Sequence, residues 1–186
     1  MDVIGALRSR RSIGRLEGDV DENQIRELVE LATWAPNHRL TEPWRFTIIR
    51  GAARERLGRL WAEIAGRDLP LTGEAREAAL QREAAKLLRA PVLIAVSVRT
   101  DPDDVTATED LAATAAAVEN ILLGAAGLGL GAMWRTGEMA YSEEVKAFLG
   151  LDPTDRIVAF VYLGRPSAEA PPPKARDVEA AVRWLD

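Results

Sequence analysis

Gly127-Leu128-Gly129-Leu130-Gly131-Ala132-Met133-Trp134-Arg135-Thr136-Gly137 is the stretch on which the fold turns. Its alternate glycines invite comparison with the dinucleotide-binding fingerprint, which needs glycines after a strand and ahead of a helix. Here the order is reversed. An apolar helical run from about Thr106 to Ala126 comes first, and a short strand through Trp134 follows. A doubly wound nucleotide fold is therefore rejected. Two readings of the glycines stay open. Gly127 caps the helix while Gly129 and Gly131 permit a tight helix-to-strand bend. Alternatively, a backbone stripped of side chains lets main-chain N–H groups approach a flat ligand, with Trp134, Arg135 and Thr136 at its rim.

The helix before the glycines is long and apolar enough to be mistaken for a membrane span. Asp110, Glu119 and Asn120 interrupt it, and burying them in hydrocarbon would be costly, so a buried central helix is expected. Further upstream, Asp21 and Gln24 form a capping-box pattern ahead of Ile25, Leu28, Val29 and Ala32, which places a helix over 22–34. Trp44 to Arg50 reads as a strand entered through Pro43, with Trp44 and Phe46 as core residues. Helices are expected over 52–65 and 73–88, and the unbroken apolar run Val92 to Val98 predicts a strand buried on both faces. Downstream, 142–149 reads as helix and 156–163 as strand. Pro171-Pro172-Pro173 opens an extended arm ending in a short amphipathic segment of Val178, Ala181, Val182 and Leu185.

With 186 residues and 47% hydrophobic content, the chain suits one domain over 1–186 whose core needs no staples. Having no cysteine excludes disulfides, thiolate nucleophiles and Cys-ligated zinc, and a single histidine excludes a His-rich metal site, so no metal is expected. The net charge of −5 gives no field to attract nucleic acid or an anionic membrane. The opening Met1-Asp2-Val3-Ile4 lacks the features of a signal peptide, so a cytoplasmic location is expected.

Arg10-Arg11-Ser12 offers two planar N–H forks and a hydroxyl to a phosphate dianion, or else a solvated patch complementing the end of a short helix. Arg165, between Gly164 and Pro166, reads as a turn residue or as a second phosphate clamp. His38 is either merely exposed, a hydrogen-bond donor at the rim of a ligand, or the base of a hydrolase. The last needs a nucleophilic serine on a strained turn, and no G-x-S-x-G motif occurs. Glu119 and Asn120 are expected to satisfy buried partners.

Taken together, Arg10-Arg11-Ser12, Ala35-Pro36-Asn37-His38-Arg39 with Pro43-Trp44-Arg45-Phe46, the segment 129–137, and Tyr162-Leu163-Gly164-Arg165-Pro166 resemble, in order, the FMN-dependent nitroreductase family, in particular its small YdjA-like branch. The resemblance implies an α+β fold, with a central mainly antiparallel sheet flanked by helices, in an intertwined homodimer. The arm 167–186 would dock on the partner subunit, and FMN would lie at the interface. It places Arg10, Arg11, Ser12 and Arg165 on the FMN phosphate and ribityl chain and Trp134, Arg135 and Thr136 along the flavin. Trp34 and His38 would reach the flavin from the partner. It also implies Gly124, Ala125, Ala126, Gly127, Leu128 and Gly129 as a nicotinamide nucleotide contact.

The activity implied is that of an FMN-dependent NAD(P)H oxidoreductase. NADH or NADPH would give hydride to the flavin and leave. A small electron-poor acceptor such as a nitroaromatic or a quinone would then take the electrons, by a ping-pong mechanism. A non-catalytic or specialised flavin protein of the same fold, of dehalogenase or flavin-fragmenting type, is the alternative, with a His38 hydrolase behind it. Two departures from the family pattern stand out. Gly14 occupies a position where relatives carry Lys, leaving Arg15 or Arg135 to supply positive charge, and Glu42 replaces a common Gln ahead of Pro43-Trp44 and is expected to point away.

Overall fold

A computed structural model describes residues 2–170, 172, 174 and 176–185; Pro171 and Pro173 of the expected arm lie outside the described residues. Five strands, β1 (Leu16–Glu17), β2 (Trp44–Arg50), β3 (Val92–Val98), β4 (Gly131–Arg135) and β5 (Arg156–Pro166), form one sheet. Every pairing is antiparallel. β3 lies between β2 and β5, while β4 and then β1 pair along the other side of β5. This is the α+β architecture that the sequence implied.

The helices are α1 (Val3–Ser9), α2 (Glu22–Thr33), α3 (Ala52–Ala65), α4 (Gly73–Ala85), α5 (Asp104–Gly127) and α6 (Glu143–Leu149). Side-chain caps fix several starts. Asp2 accepts from Gly5 N at 2.7 Å, and Asp103 accepts from Thr106 N at 2.8 Å. The box at α2 is complete, with Asp21 accepting from Asn23 N and Gln24 accepting from Asp21 N. Each satisfies donors that the first helical turn leaves unpaired.

Strand alternation divides the interior into two layers. Val92, Ile94, Val96 and Val98 of β3 pack with Leu28 and Ala32 of α2 and Ala117, Val118 and Ile121 of α5. Leu93 and Ala95 face the opposite way, into Leu57 and Trp61 of α3, Val145 of α6 and Phe160 of β5. All seven residues of β3 are buried, as its apolar run predicts.

The three polar residues that interrupt the apolar run of α5 each find a partner, whereas the Thr114 hydroxyl is buried without one among the described residues. Asn120 donates to Leu31 O at 3.1 Å, Thr41 donates to the buried Asp110 at 2.6 Å, and Glu119 approaches Arg10 at 3.1 Å. That is the signature of a helix enclosed by protein, and among the described residues no helix is long and apolar enough to cross a membrane.

Several boundaries differ from the sequence reading. The helix expected over 73–88 becomes a 3₁₀ turn at Lys86–Leu88. β5 runs on to Pro166 because β1 pairs with its end, and a two-residue strand has no periodicity to betray it. Gly127 is the last residue of α5 rather than its cap. Leu128 takes the cap, and Gly129, at φ 71°, adopts the left-handed turn that leads into β4. The expected C-terminal amphipathic segment is only a 3₁₀ turn, Glu179–Ala181, with Val178, Val182, Trp184 and Leu185 exposed.

Candidate functional site

α1 ends at Ser9, so Arg10 and Arg11 follow it into an extended segment that runs beside β4. Ser12 bridges Ala132 there, and Ile13 N donates to Ala132 O at 3.1 Å. That ladder brings the dibasic pair, the glycine turn and the end of β5 to one cavity of about 220 Å³, lined by Arg10, Arg11, Gly129, Leu130, Ala132 and Pro166. Ser12 is exposed beside it.

The arginines there are incompletely satisfied. Arg11 donates through one terminal nitrogen to Arg8 O at 2.8 Å and Arg10 O at 2.7 Å, but its Nε is buried without an acceptor. Arg10 Nε lies 3.1 Å from Glu119 Oε1, within ion-pair range, yet it makes no aligned hydrogen bond. Buried guanidinium N–H groups without acceptors are costly. A dianionic set of oxygen acceptors such as a phosphate would supply what they lack, and the residues present fit one. Arg165 is exposed at the adjoining end of β5, and its side chain has no hydrogen bond or ion pair among the described residues.

Strand geometry splits the triplet 134–136. Trp134 packs against the α2–α5 layer and donates from Nε1 to Val158 O at 3.2 Å. Arg135 emerges on the opposite face, its guanidinium carbon 5.6 Å from the centroid of the Tyr162 ring, a cation–π arrangement. Thr136 is exposed at the end of β4. Arg135 and Thr136 open into a chamber of about 650 Å³ that also takes in Trp61, Arg82, Lys86 and Tyr162. Burial pushes the Tyr162 hydroxyl above its ordinary pKa, with Arg135 and Arg89 pulling back.

Arg82 and Lys86 were given no site role from sequence, and Tyr162 entered only as the first residue of the motif 162–166. α4 carries charges without a clear apolar stripe and reads as a solvated helix; the one available signal was two cations four residues apart at its end. Lys86 is committed to Glu83, at 2.5 and 2.6 Å, and Glu83 also accepts from Trp61 Nε1 at 3.1 Å. Burial raises the Glu83 pKa, but those donors outweigh it and hold the carboxyl below its ordinary range. Gly14 and Arg15 line a different cavity with Leu88 and Arg89, so Arg135, not Arg15, shares a space with Thr136.

Trp34 and His38 line neither the arginine cavity nor the chamber. Trp34 is 76% exposed, its Nε1 donating to Glu30 at 2.5 Å. His38 opens a 3₁₀ turn with its Nδ1 against Glu109. The hydrolase reading lacks a nucleophile in this surrounding, since the neighbouring Thr41 hydroxyl is given to Asp110.

The stretch 124–129, expected as a nicotinamide contact, is partly enclosed within one chain. Ala125 is fully buried, and a Cβ at Gly124 would stand 2.9 Å from both Leu28 and Leu31, so this glycine serves the close approach of α2 and α5. Gly127 and Gly129 are the exposed positions of the six.

The chain matches the family model described as the nitroreductase family over residues 7–165. YfhC of Bacillus subtilis (strain 168), named as an NAD(P)H nitroreductase, is 33% identical over 172 residues, covering 91% of this chain and 87% of that protein. The crystal structure of a nitroreductase-like family protein from Bacillus cereus is 29% identical and superposes with a TM-score of 0.86 over 100% of this chain and 97% of the other. A structure from Desulfovibrio desulfuricans in complex with FMN, 24% identical over 100% and 98% of the two chains, shares the fold with a TM-score of 0.76.

Proposed function

The chain belongs to the nitroreductase family, and from that premise we propose that it is an FMN-dependent oxidoreductase, drawing electrons from NADH or NADPH and passing them to nitroaromatic, quinone or similar electron-poor acceptors. The observation that carries this reading is the cavity in which Arg10 and Arg11 meet the glycine turn and Pro166 with two guanidinium Nε atoms lacking acceptors. When bound, FMN supplies the redox chemistry, taken up and released in alternate half-reactions.

The protein's part is to bind, orient and shield. Arg10 and Arg11, with Arg165 at the adjoining strand end, neutralise the phosphate, and Ser12 adds a hydroxyl donor. Arg135, steadied over Tyr162, presents fixed positive charge to the flavin rim beside Thr136, where charge that appears on reduction is favoured. Trp134 supports this rim from behind through its bond to Val158 rather than by direct exposure. Gly127 and Gly129 are the bare backbone at which a nicotinamide nucleotide would approach.

In this reading Trp34 and His38 act across the twofold of a homodimer, which accounts for their absence from the single-chain cavities. The exposed Trp184 and Leu185 of the arm, both 81% exposed, and the apolar groove formed by Ile25, Val29, Phe46 and Ile48 are complementary features that such a dimer would bury. Purified protein incubated with FMN and then desalted tests the cofactor. A retained yellow chromophore, bleached by NADH or NADPH without oxygen and restored by a quinone, supports the reading. A colourless protein overturns it.

A further inference from the structure

Between α2 and β2 the backbone does something unusual. Arg39, Leu40 and Glu42 have φ of 54°, 54° and 44°, three non-glycine residues in the left-handed region within four positions. Side chains with a Cβ disfavour that region, and such conformations persist where the surroundings over-determine them. The surroundings here are four contacts. Asn37 Oδ1 accepts from Glu42 N at 3.1 Å, and Arg45 donates to Glu42 O at 3.2 Å. Thr41 Oγ1 donates to Asp110 at 2.6 Å, and Glu109 meets His38 Nδ1.

We propose that Glu109 and Asp110, consecutive residues of α5, are positioning residues that clamp the loop 37–42 and fix the His38 ring with its proton on Nδ1, leaving Nε2 facing outward as a hydrogen-bond acceptor. The two carboxylates divide the work. Asp110 is 5% exposed, and the Thr41 hydroxyl is the partner that satisfies it, so releasing the loop would strand a buried acidic group. Glu109 is half-exposed and acts on the ring. A carboxylate only accepts, so the nitrogen facing it must carry hydrogen, and in the neutral ring the other nitrogen then holds a lone pair.

The clamp reverses one of the roles that the sequence leaves open for His38, that of a donor at a ligand rim. With the ring neutral, its partner is a hydroxyl or N–H donor. On the reading that His38 reaches the partner subunit's flavin, the matching groups are the ribityl hydroxyls and the ring N3–H. This role rests on the proposed function, whereas the clamp belongs to the chain itself.

His38 is the only histidine, so its ring nitrogens are unambiguous in protein labelled with ¹⁵N-histidine. In apo protein at alkaline pH, the Nδ1–H tautomer is expected in wild type and in Glu109→Asp. Glu109→Ala should lose that preference while its amide spectrum stays dispersed. Addition of FMN should then shift the Nε2 resonance, and Glu109→Ala should raise the FMN dissociation constant about tenfold while the thermal melt stays cooperative. A wild-type ring protonated on Nε2, or identical tautomers in wild type and Glu109→Ala, would overturn the clamp. A clamped ring in protein that never binds FMN would uphold the clamp and defeat the functional reading instead.

Discussion

Arg10 Nε and Glu119 Oε1 stand 3.1 Å apart across the contact of α1 with α5, close enough to attract and too poorly aligned to hydrogen-bond. The carboxylate therefore holds the arginine near the cavity without saturating it. A phosphate bound as proposed would take over donors that the fold has left open. This makes Glu119 a competitor as well as a guide.

Glu119→Gln should bind FMN more tightly than wild type, by about threefold to tenfold at low salt, as one nearby negative charge is removed. Riboflavin, which lacks the phosphate, should show no such gain. Fluorescence titration with both ligands at two salt concentrations checks this.

Arg10→Gln and Arg11→Gln should each weaken FMN binding by about 10-fold to 100-fold, the scale of one charge-assisted hydrogen bond of roughly 1.5–3 kcal/mol. Riboflavin affinity should change far less. Equal losses for the two ligands would mean that these arginines do not touch the phosphate.

Removing residues 168–186 should convert the protein from dimer to monomer and abolish retention of FMN, because the arm contributes exposed Trp184 and Leu185 to the proposed interface. Sedimentation velocity reads the first effect and the visible spectrum the second. A truncated protein that stays dimeric and yellow would remove the arm from the account.

Phe160 is fully buried in the layer between β5, α3 and α6. Phe160→Ala should cost about 3–5 kcal/mol through lost burial and the cavity left behind. Gly129→Ala, at φ 71°, should cost about 1–2 kcal/mol through backbone strain alone. Denaturant melts would rank the two.

Glu144 accepts from Arg67 at 2.5 Å and from Ser142 at 2.9 Å, and chiefly the Arg67 bond holds its carboxyl down to about 2 against an ordinary 4.5. A carboxyl with a depressed folded pKa favours the folded state above its unfolded pKa and loses that contribution as pH falls through the folded value. Thermal melts between pH 5 and pH 2.5 should therefore fall less steeply for Glu144→Gln than for wild type.

Where local chemistry dictates structure, the sequence was readable. Asp21 with Gln24 announced α2, and the apolar run 92–98 announced a strand covered on both faces. β1 was invisible because Leu16 and Glu17 become a strand only by pairing with Pro166 and Arg165 far along the chain. The left-handed residues 39, 40 and 42 were equally hidden, since no glycine marks them and two of the contacts around them, from Asp110 and Glu109, come from about seventy residues away. The site was legible as fragments. That Trp134 and Arg135 part to opposite faces follows from the two-residue period of a strand. That Arg135 finds Tyr162, Arg82 and Lys86 there required the fold.

The visible spectrum of the purified protein after FMN loading and desalting, followed through anaerobic addition of NADH and then NADPH, bears most directly on the central claim. The account predicts a bound flavin band that persists through desalting in wild type, is lost in Arg10→Gln/Arg11→Gln, and bleaches on reduction by at least one of the two nicotinamides. Protein that emerges colourless, or whose flavin neither nicotinamide bleaches, would contradict it.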